Sequence, residues 1–219
     1  MTNRFDELFT LGSEAILAGT HETEAPPPGG GRWGPSVCLR PDPGLAASLA
    51  AATDEALQYA GPGHWPTGNE LAAHFTLRVI HGPEPIDPAR TERIGIAMRK
   101  AAAEPIRLAV TGLTLTPISI MAAAEPVGDT AALFKEALVE ALGSDGEFEA
   151  GFNRSIWYAN LVHFAGPIAD PAGLVDWVAA RREYPLGVLN PATVDYLGWD
   201  YTGTQCVPVV LASAPFTAS

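Results

Sequence analysis

Residues 71–82, LAAHFTLRVIHG, have the alternation of a β-strand with one polar and one apolar face. Because successive side chains of a strand point to opposite faces, we predict a polar face with His74, Thr76, Arg78 and Ile80 and an apolar face with Phe75, Leu77 and Val79. An imidazole can move a proton near neutral pH, a hydroxyl can bind an oxygen atom, and a guanidinium can neutralise an anion. The strand is therefore predicted to line a polar cleft.

The composition is that of a globular domain with a small-molecule partner. The chain has 219 residues, of which 47% are hydrophobic and 17% charged, which is enough to bury a core and too apolar for disorder. Thirteen basic and 25 acidic side chains give a net charge of -12. Such a charge repels polyphosphate and anionic lipid, so we expect a small-molecule substrate and neither a long nucleic acid nor a membrane as partner.

The two cysteines and five histidines show no metal-binding pattern. Cys38 and Cys206 lie far apart without a CxxC arrangement, and the histidines are scattered. We therefore expect no metal and no cofactor. The first residues lack a signal-peptide pattern and no stretch approaches the length of a membrane span, so a cytoplasmic protein with reduced thiols is expected.

The first 31 residues are predicted to be an extension of the folded domain, which would span residues 32–219. Phe5, Leu8, Phe9 and Ile16 recur at helical spacing, which predicts a short amphipathic helix over residues 4–18. We expect this helix to pack on its own domain or on a second copy. The sequence APPPGGG at 25–31 is typical of a linker.

Strands and helices then alternate along the chain. Strands are predicted at 33–40, 71–81, 106–113, 116–123, 155–164, 188–197 and 205–212. Helices are predicted at 45–60, 87–103, 129–142 and 171–182, with Asp87, Asp129 and Asp170 as N-caps. This order predicts an α/β or α+β domain with mostly antiparallel sheets.

Two segments of the chain resemble each other. Residues 74–99 read HFTLRVIHGPEPIDPARTERIGIAMR and residues 158–182 read YANLVHFAGPIADPAGLVDWVAARR, each with a strand, Gly-Pro and an Asp-Pro-Ala helix start. A gapless alignment pairs His74 with Tyr158, Thr76 with Asn160 and Val79 with His163. The repeat predicts two related lobes that each contribute a strand to a shared cleft.

Two registers are possible for the second strand, and they place different side chains in the cleft. Either Tyr158 and Asn160 face the cleft, or His163 does, because 158 and 163 differ by an odd number and cannot share a face in an unbulged strand. We favour the register with Tyr158 and Asn160 because it keeps the apolar face intact. His163 would then be a structural histidine.

The sequence His74-Phe75-Thr76-Leu77, followed by an apolar stretch and Gly82, resembles the H-x-T-L signature of the two-histidine (2H) phosphoesterase superfamily. This family includes the bacterial RNA 2',3'-cyclic phosphodiesterases, also called 2',5' RNA ligases, and the resemblance covers roughly residues 33–216. It implies a bilobal α+β fold with two H-x-T/S motifs facing each other across a cleft. It further implies a metal-free reaction in which one histidine is the base, the other is the acid, and the hydroxyls hold phosphate oxygens.

The sequence departs from this family in its second motif. It contains no second H-x-T or H-x-S, and the candidates are Tyr158-Ala159-Asn160 and His163-Phe164-Ala165. A phenol can serve as an acid but is a poor base at neutral pH, and an asparagine still binds an oxygen. With His163 instead, acid and base are both present but one hydroxyl is missing.

The candidate site therefore contains His74 and Thr76 with Tyr158 and Asn160 or with His163, all in catalytic roles. Arg78 and Trp65 are candidates for substrate binding: Arg78 would contact an anion, and Trp65 would stack on a flat ligand, although a packing role is favoured for Trp65. The sequence predicts a divergent phosphoesterase-like enzyme for a small phosphorylated or cyclic-nucleotide-like substrate. The alternatives are an acid/base enzyme for isomerisation, cyclisation or elimination of a phosphate-free molecule, and a non-catalytic ligand-binding protein.

Overall fold

The computed structural model describes residues 4–23, 33–152 and 156–217. Five α-helices lie in these ranges: α1 (Arg4–Leu17), α2 (Pro43–Ala60), α3 (Pro88–Ala101), α4 (Thr130–Leu142) and α5 (Pro171–Ala179). The strands are β1 (Ser36–Leu39), β2 (Trp65–Pro66), β3 (Phe75–Val79), β4 (Leu108–Leu115), β5 (Ser119–Pro126), β6 (Trp157–His163), β7 (Gly187–Leu189), β8 (Thr193–Tyr201) and β9 (Cys206–Pro215). A 3₁₀ segment covers Gly143–Glu149.

The strands form two antiparallel sheets, one in each lobe of an α+β fold. The four-stranded sheet has the order β3-β1-β8-β9 and the five-stranded sheet has the order β2-β6-β5-β4-β7. Strand β3 of the first sheet lies against β6 of the second. These are the two strands of the internal repeat, so the predicted fold class, two lobes of antiparallel sheet around a cleft, is confirmed.

Short polar sequences set the starts of the helices. Asp87 accepts a hydrogen bond from the backbone N–H of Ala89, and Asp170 accepts one from Gly173, as their positions before proline predict. Helix α2 begins two residues earlier than expected because Asp42 caps it and Pro43 occupies the first turn. Asp129 precedes α4 but makes no side-chain capping bond. None of the helices in the described ranges has the length and apolar character needed to cross a membrane.

Two strand predictions differ from the structure in a way that local chemistry explains, and one strand was not predicted. The strand predicted over 71–81 begins only at Phe75, because the Asn69 side chain accepts the N–H groups of Leu71 and Ala72 and forms a turn. The strand predicted over 188–197 is divided between β7 and β8, which belong to different sheets. Pro191 lies at the break and has no N–H to donate to a ladder. Strand β2, which pairs with β6, was not predicted.

Helix α1 packs on its own chain, which is one of the two expected arrangements. A Cβ on Gly12 would lie only 2.7 Å from the backbone of Leu115, so the helix touches β4 closely. The carbonyl oxygen of Phe5 accepts a hydrogen bond from Thr114 at 2.9 Å, and Asp6 pairs with Arg182 at 2.5 Å. The predicted linker at 25–31 and the domain boundary after residue 31 lie outside the described residues and stay predictions.

Candidate functional site

A β-bulge in β6 removes the conflict between the two predicted registers. Met121 of β5 pairs with Asn160, whereas the neighbouring Ile120 pairs with Val162, so Leu161 is an extra residue. Leu161 and Val162 are consecutive and both are fully buried. An extra residue shifts the alternation of faces, and His163 therefore lies on the same side as Asn160.

Strand β3 has a bulge at the equivalent position of the repeat. Val37 of β1 pairs with Arg78 and the next residue, Cys38, pairs with Thr76, so Leu77 is the extra residue. Leu77 aligns with Leu161 in the gapless comparison of the two repeats. The predicted alternation is therefore wrong beyond Leu77, since Val79 takes the place on the cleft face that was expected for Arg78.

Both motif strands line one cavity of about 390 Å³ between the lobes. Strand β3 and the residue before it contribute His74, Thr76 and Val79, and β6 contributes Tyr158, Asn160 and His163. The cavity thus brings together every candidate catalytic residue of the sequence analysis.

His74 has a defined orientation. Its Nδ1 lies 2.7 Å from the carbonyl oxygen of Ala72, and its ring packs against Trp199 with a centroid distance of 4.6 Å. Burial lowers the pKa of His74, the hydrogen bond to Ala72 partly offsets this, and the nearby charge of Arg40 lowers the pKa further. The neutral ring is therefore the favoured form, with Nε2 available as a base.

The groups beside and opposite His74 can form hydrogen bonds with a polar ligand. The Cys38 thiol lies 3.7 Å from the carbonyl oxygen of Ser36 and 3.8 Å from the Thr76 hydroxyl oxygen, and the Thr76 hydroxyl can donate a hydrogen bond to a ligand. Asn160 has a buried Oδ1 without a hydrogen-bond partner among the described residues. Tyr158 is half-buried on the same wall of the cavity. The set offers a base, a phenol and two hydrogen-bonding groups.

His163 lies deeper in the wall than the other candidates. It is buried, and its ring packs against Trp33 at 5.4 Å and Trp65 at 6.2 Å between centroids. This packing resembles that of a structural histidine at the edge of a core. Trp65 is part of this packed cluster of rings. It is 1% exposed and does not line the cavity, so the structure does not place it where it could stack on a ligand.

The structure also places Arg78 outside the cavity, contrary to its predicted position on the cleft face. Its Nη2 donates a hydrogen bond to the carbonyl oxygen of Gly146 in the 3₁₀ segment. The cause is the bulge at Leu77, which turns the guanidinium to the other face of β3. A role for Arg78 in anion binding therefore has no support from its position.

Several cavity residues were not selected from the sequence. They include Trp33, Thr67, His81 and Phe148. His81 is anchored at both ring nitrogens: Nδ1 donates to the carbonyl oxygen of Gly82 at 2.7 Å, and Nε2 accepts from the hydroxyl of Tyr196 at 3.1 Å. Burial raises the pKa of Tyr196 to about 12, so its hydroxyl stays a donor. The aromatic residues are far apart in sequence, and no local pattern indicates that they meet.

The cavity carries no formal charge on the side chains that line it within the described ranges, except through protonation of its histidines. Three histidines, a tyrosine and an asparagine supply its strongest polar groups. In the same ranges, no three His, Cys, Asp or Glu side chains converge as metal ligands. The arrangement can therefore move protons and hold oxygen atoms, but it neutralises a dianion poorly.

No protein-family model and no curated protein matches this sequence. Among solved structures, the chain is similar to the crystal structure of TT0787 of Thermus thermophilus, with a TM-score of 0.62 and 15% sequence identity. The match covers 83% of this chain and 97% of that chain. At this level of identity the likeness establishes a common fold, and the fold alone.

Proposed function

We propose that this protein is a divergent phosphoesterase-like enzyme that opens a small cyclic phosphodiester without a metal ion. The proposal combines the H-x-T-L resemblance with one structural observation. The equivalent bulges at Leu77 and Leu161 bring His74 and Thr76 to the same cavity as Tyr158 and Asn160. Residues that the repeat makes equivalent thus surround a single space large enough for a small substrate.

In this proposal His74 is the general base and Tyr158 the general acid. The bond from Nδ1 to Ala72 leaves Nε2 as the acceptor of a proton from the attacking hydroxyl or water. Tyr158 holds the position equivalent to His74, so its phenol would protonate the leaving oxygen on the other side of phosphorus. The hydroxyl of Thr76 and the amide Nδ2–H of Asn160 would donate hydrogen bonds to the equatorial oxygens, and Asn160 Oδ1 would accept one from a substrate hydroxyl.

The test is the hydrolysis of adenosine 2',3'-cyclic phosphate and of glycerol 1,2-cyclic phosphate by the purified chain. His74→Asn and Tyr158→Phe remove the two proton-transfer groups with little change of shape, and each should lower kcat by about 100-fold or more. His21→Asn is the control, because His21 bonds Gly166 and does not line the cavity. Absence of turnover by the native chain, or equal turnover by all three variants, would overturn the proposal.

A second candidate function is acid/base catalysis on a phosphate-free molecule. It is favoured by the lack of lysine and arginine among the described residues that line the cavity. Isomerisation, cyclisation or elimination would use the same two groups, His74 to remove a proton and Tyr158 to return one. Deuterium from D2O that enters a neutral carbonyl compound with the native chain, but not with His74→Asn, would support this function over the first.

A further inference from the structure

We propose that the substrate carries an uncharged planar ring with apolar edges, and that Phe148 and Val79 select for this ring. The inference rests on the cavity being the substrate site proposed above. It concerns the apolar and aromatic part of the cavity lining, which consists of Val79, Pro83, Phe148, Trp33 and Trp199, the last of which packs against His74.

The bulge at Leu77 makes this part of the cavity lining apolar. In a regular strand the cleft face after Thr76 would present Arg78, and the cavity would contain a guanidinium. The extra residue places the isopropyl group of Val79 there and sends Arg78 to the outer face. A single inserted residue thus exchanges a cation for an apolar surface.

The displaced Arg78 holds the 3₁₀ segment that carries Phe148. Its Nη2 donates to the carbonyl oxygen of Gly146, while Arg93 of α3 binds both carboxylate oxygens of Asp145 at 2.8 and 3.1 Å. Arg90 adds an ion pair to Asp145 at 3.2 Å. The segment is therefore tied to the lobe of β3, with Phe148 at the cavity mouth.

Phe148 is 60% exposed although it lines the cavity, and a ligand would cover the apolar surface that the ring leaves in water. Trp33 and Trp199 pack edge to face at 5.5 Å, which gives the same region a rigid aromatic wall. Aromatic rings favour a flat partner in stacked or edge contact. The surface is therefore suited to a planar group.

Three side chains of the cavity lining already use their hydrogen-bond donors within the protein. Trp199 Nε1 donates to the carbonyl oxygen of Gly34 at 3.0 Å, and Ser36 Oγ donates to the same oxygen at 2.9 Å. His81 uses one nitrogen to donate to Gly82 and the other to accept from Tyr196. The side chains of Val79, Pro83 and Phe148 offer no hydrogen bond, so a polar ring edge against them would lose its bonds to water without replacement, and an apolar ring is preferred there over a nucleobase.

Isothermal titration calorimetry with indole and adenine tests the inference. Both probes are uncharged bicyclic rings of similar size, but adenine has polar edges. We expect indole to bind the native chain about tenfold more tightly than adenine. Phe148→Ala and Val79→Thr should each weaken indole binding by about tenfold.

Phe152→Ala is the matched control, because Phe152 is 59% exposed and lies four residues away without lining this cavity. Its indole affinity should equal that of the native chain. Tighter binding of adenine than of indole, or indole binding that is unchanged in Phe148→Ala, would overturn the inference. A crystal soaked with indole adds a direct readout, since density elsewhere than beside Phe148 would also overturn it.

Glycerol 1,2-cyclic phosphate separates this inference from the proposed function, because it has no ring to bind. Its turnover without any binding of indole would refute the inference and leave the phosphoesterase proposal standing. Binding of indole that depends on Phe148, without turnover of either cyclic phosphate, would support the inference and refute the phosphoesterase proposal.

Discussion

The Nδ1 atom of His74 lies 2.7 Å from the carbonyl oxygen of Ala72, two residues earlier in the chain. A carbonyl oxygen only accepts hydrogen bonds, so in the neutral ring the proton sits on Nδ1 and the lone pair on Nε2. The local backbone therefore determines which nitrogen of His74 can act as a base.

Arg40 is expected to influence the titration of His74. Its charge is one of the causes that lower the pKa of His74, and the residue lies just after Leu39, which pairs with Phe75. Arg40→Gln should therefore raise the pKa of His74, as measured by the NMR signal of the imidazole Cε1–H across a pH titration. In Lys100→Gln, a change on the exposed end of α3, the pKa should not move. An unchanged or lower pKa in Arg40→Gln would contradict this account.

Stability should fall as the pH decreases below about 6.5, partly because of His64. Its Nε2 donates to the carbonyl oxygen of Ala60 at 3.0 Å and its Nδ1 accepts the N–H of Ala165 at 3.1 Å, so protonation would break the second bond. Burial is the largest cause that lowers the pKa of His64. The unfolded chain therefore binds a proton at His64 more readily than the folded chain does. As the pH falls, this group lowers the free energy of unfolding by at most about 1.4 kcal/mol per pH unit.

Urea unfolding at about pH 7.5 and about pH 5.5 measures this effect. The loss of stability between the two conditions should be smaller in His64→Gln than in the native chain. Part of the loss should remain, because the pKa of His74 is also lowered. An equal loss in the variant and the native chain would show that His64 does not contribute.

Arg78 is expected to stabilise the 3₁₀ segment. Arg78→Met keeps the length of the side chain but removes the bond to Gly146, and it should lower the free energy of unfolding by about 1–2 kcal/mol. Hydrogen exchange should become faster across residues 143–149. Arg93→Met is the comparison, because the Arg93 side chain is 55% exposed and Arg90 still pairs with Asp145 at 3.2 Å when Arg93 is replaced, so its loss should cost less. Faster hydrogen exchange across residues 143–149 in Arg93→Met than in Arg78→Met would show that Arg93 stabilises the segment more than Arg78 does.

Two glycines of the cavity should respond differently to alanine. A Cβ on Gly34 would lie 1.7 Å from the carbonyl oxygen of His81, a distance that requires the backbone to move. No atom lies within 4 Å of the corresponding position on Gly82. Gly34→Ala should therefore cost more than about 3 kcal/mol of unfolding free energy and Gly82→Ala less than about 1 kcal/mol, as thermal and urea unfolding would show. Similar costs would mean that Gly34 and His81 are further apart in solution.

Local signals in the sequence were sufficient for most of the elements. Asp87-Pro88 and Asp170-Pro171 predict the starts of α3 and α5 to within a residue, because capping depends on neighbours in sequence. The alternation around Phe75 likewise places β3. The break between β7 and β8 was missed although Pro191 lies at it, since the apolar pattern continues across the proline.

The faces of the motif strands could not be predicted beyond the bulges. A bulge depends on how a strand pairs with its neighbour, here β1 for Leu77 and β5 for Leu161, and these partners are far away in sequence. The internal repeat nevertheless gave correct equivalences, because both copies contain the extra residue at the same place. The position of Phe148 at the cavity was also not predictable. It depends on the contact of Arg78 with the 3₁₀ segment, and the two are far apart in the sequence.

The bulged strands also define how this cavity could be redesigned. Two sets of three residues from the motif strands line the cavity, 74, 76 and 79 in one strand and 158, 160 and 163 in the other. In each set the second residue follows the first by two positions, and the third follows the second by three. The buried leucines at 77 and 161 lie outside both sets, so a combinatorial library over these six codons would vary the chemistry of the cavity and leave both core leucines in place. A conventional library that alternates every second position would instead mutate Arg78 and Val162, and it would loosen the scaffold without reaching the substrate.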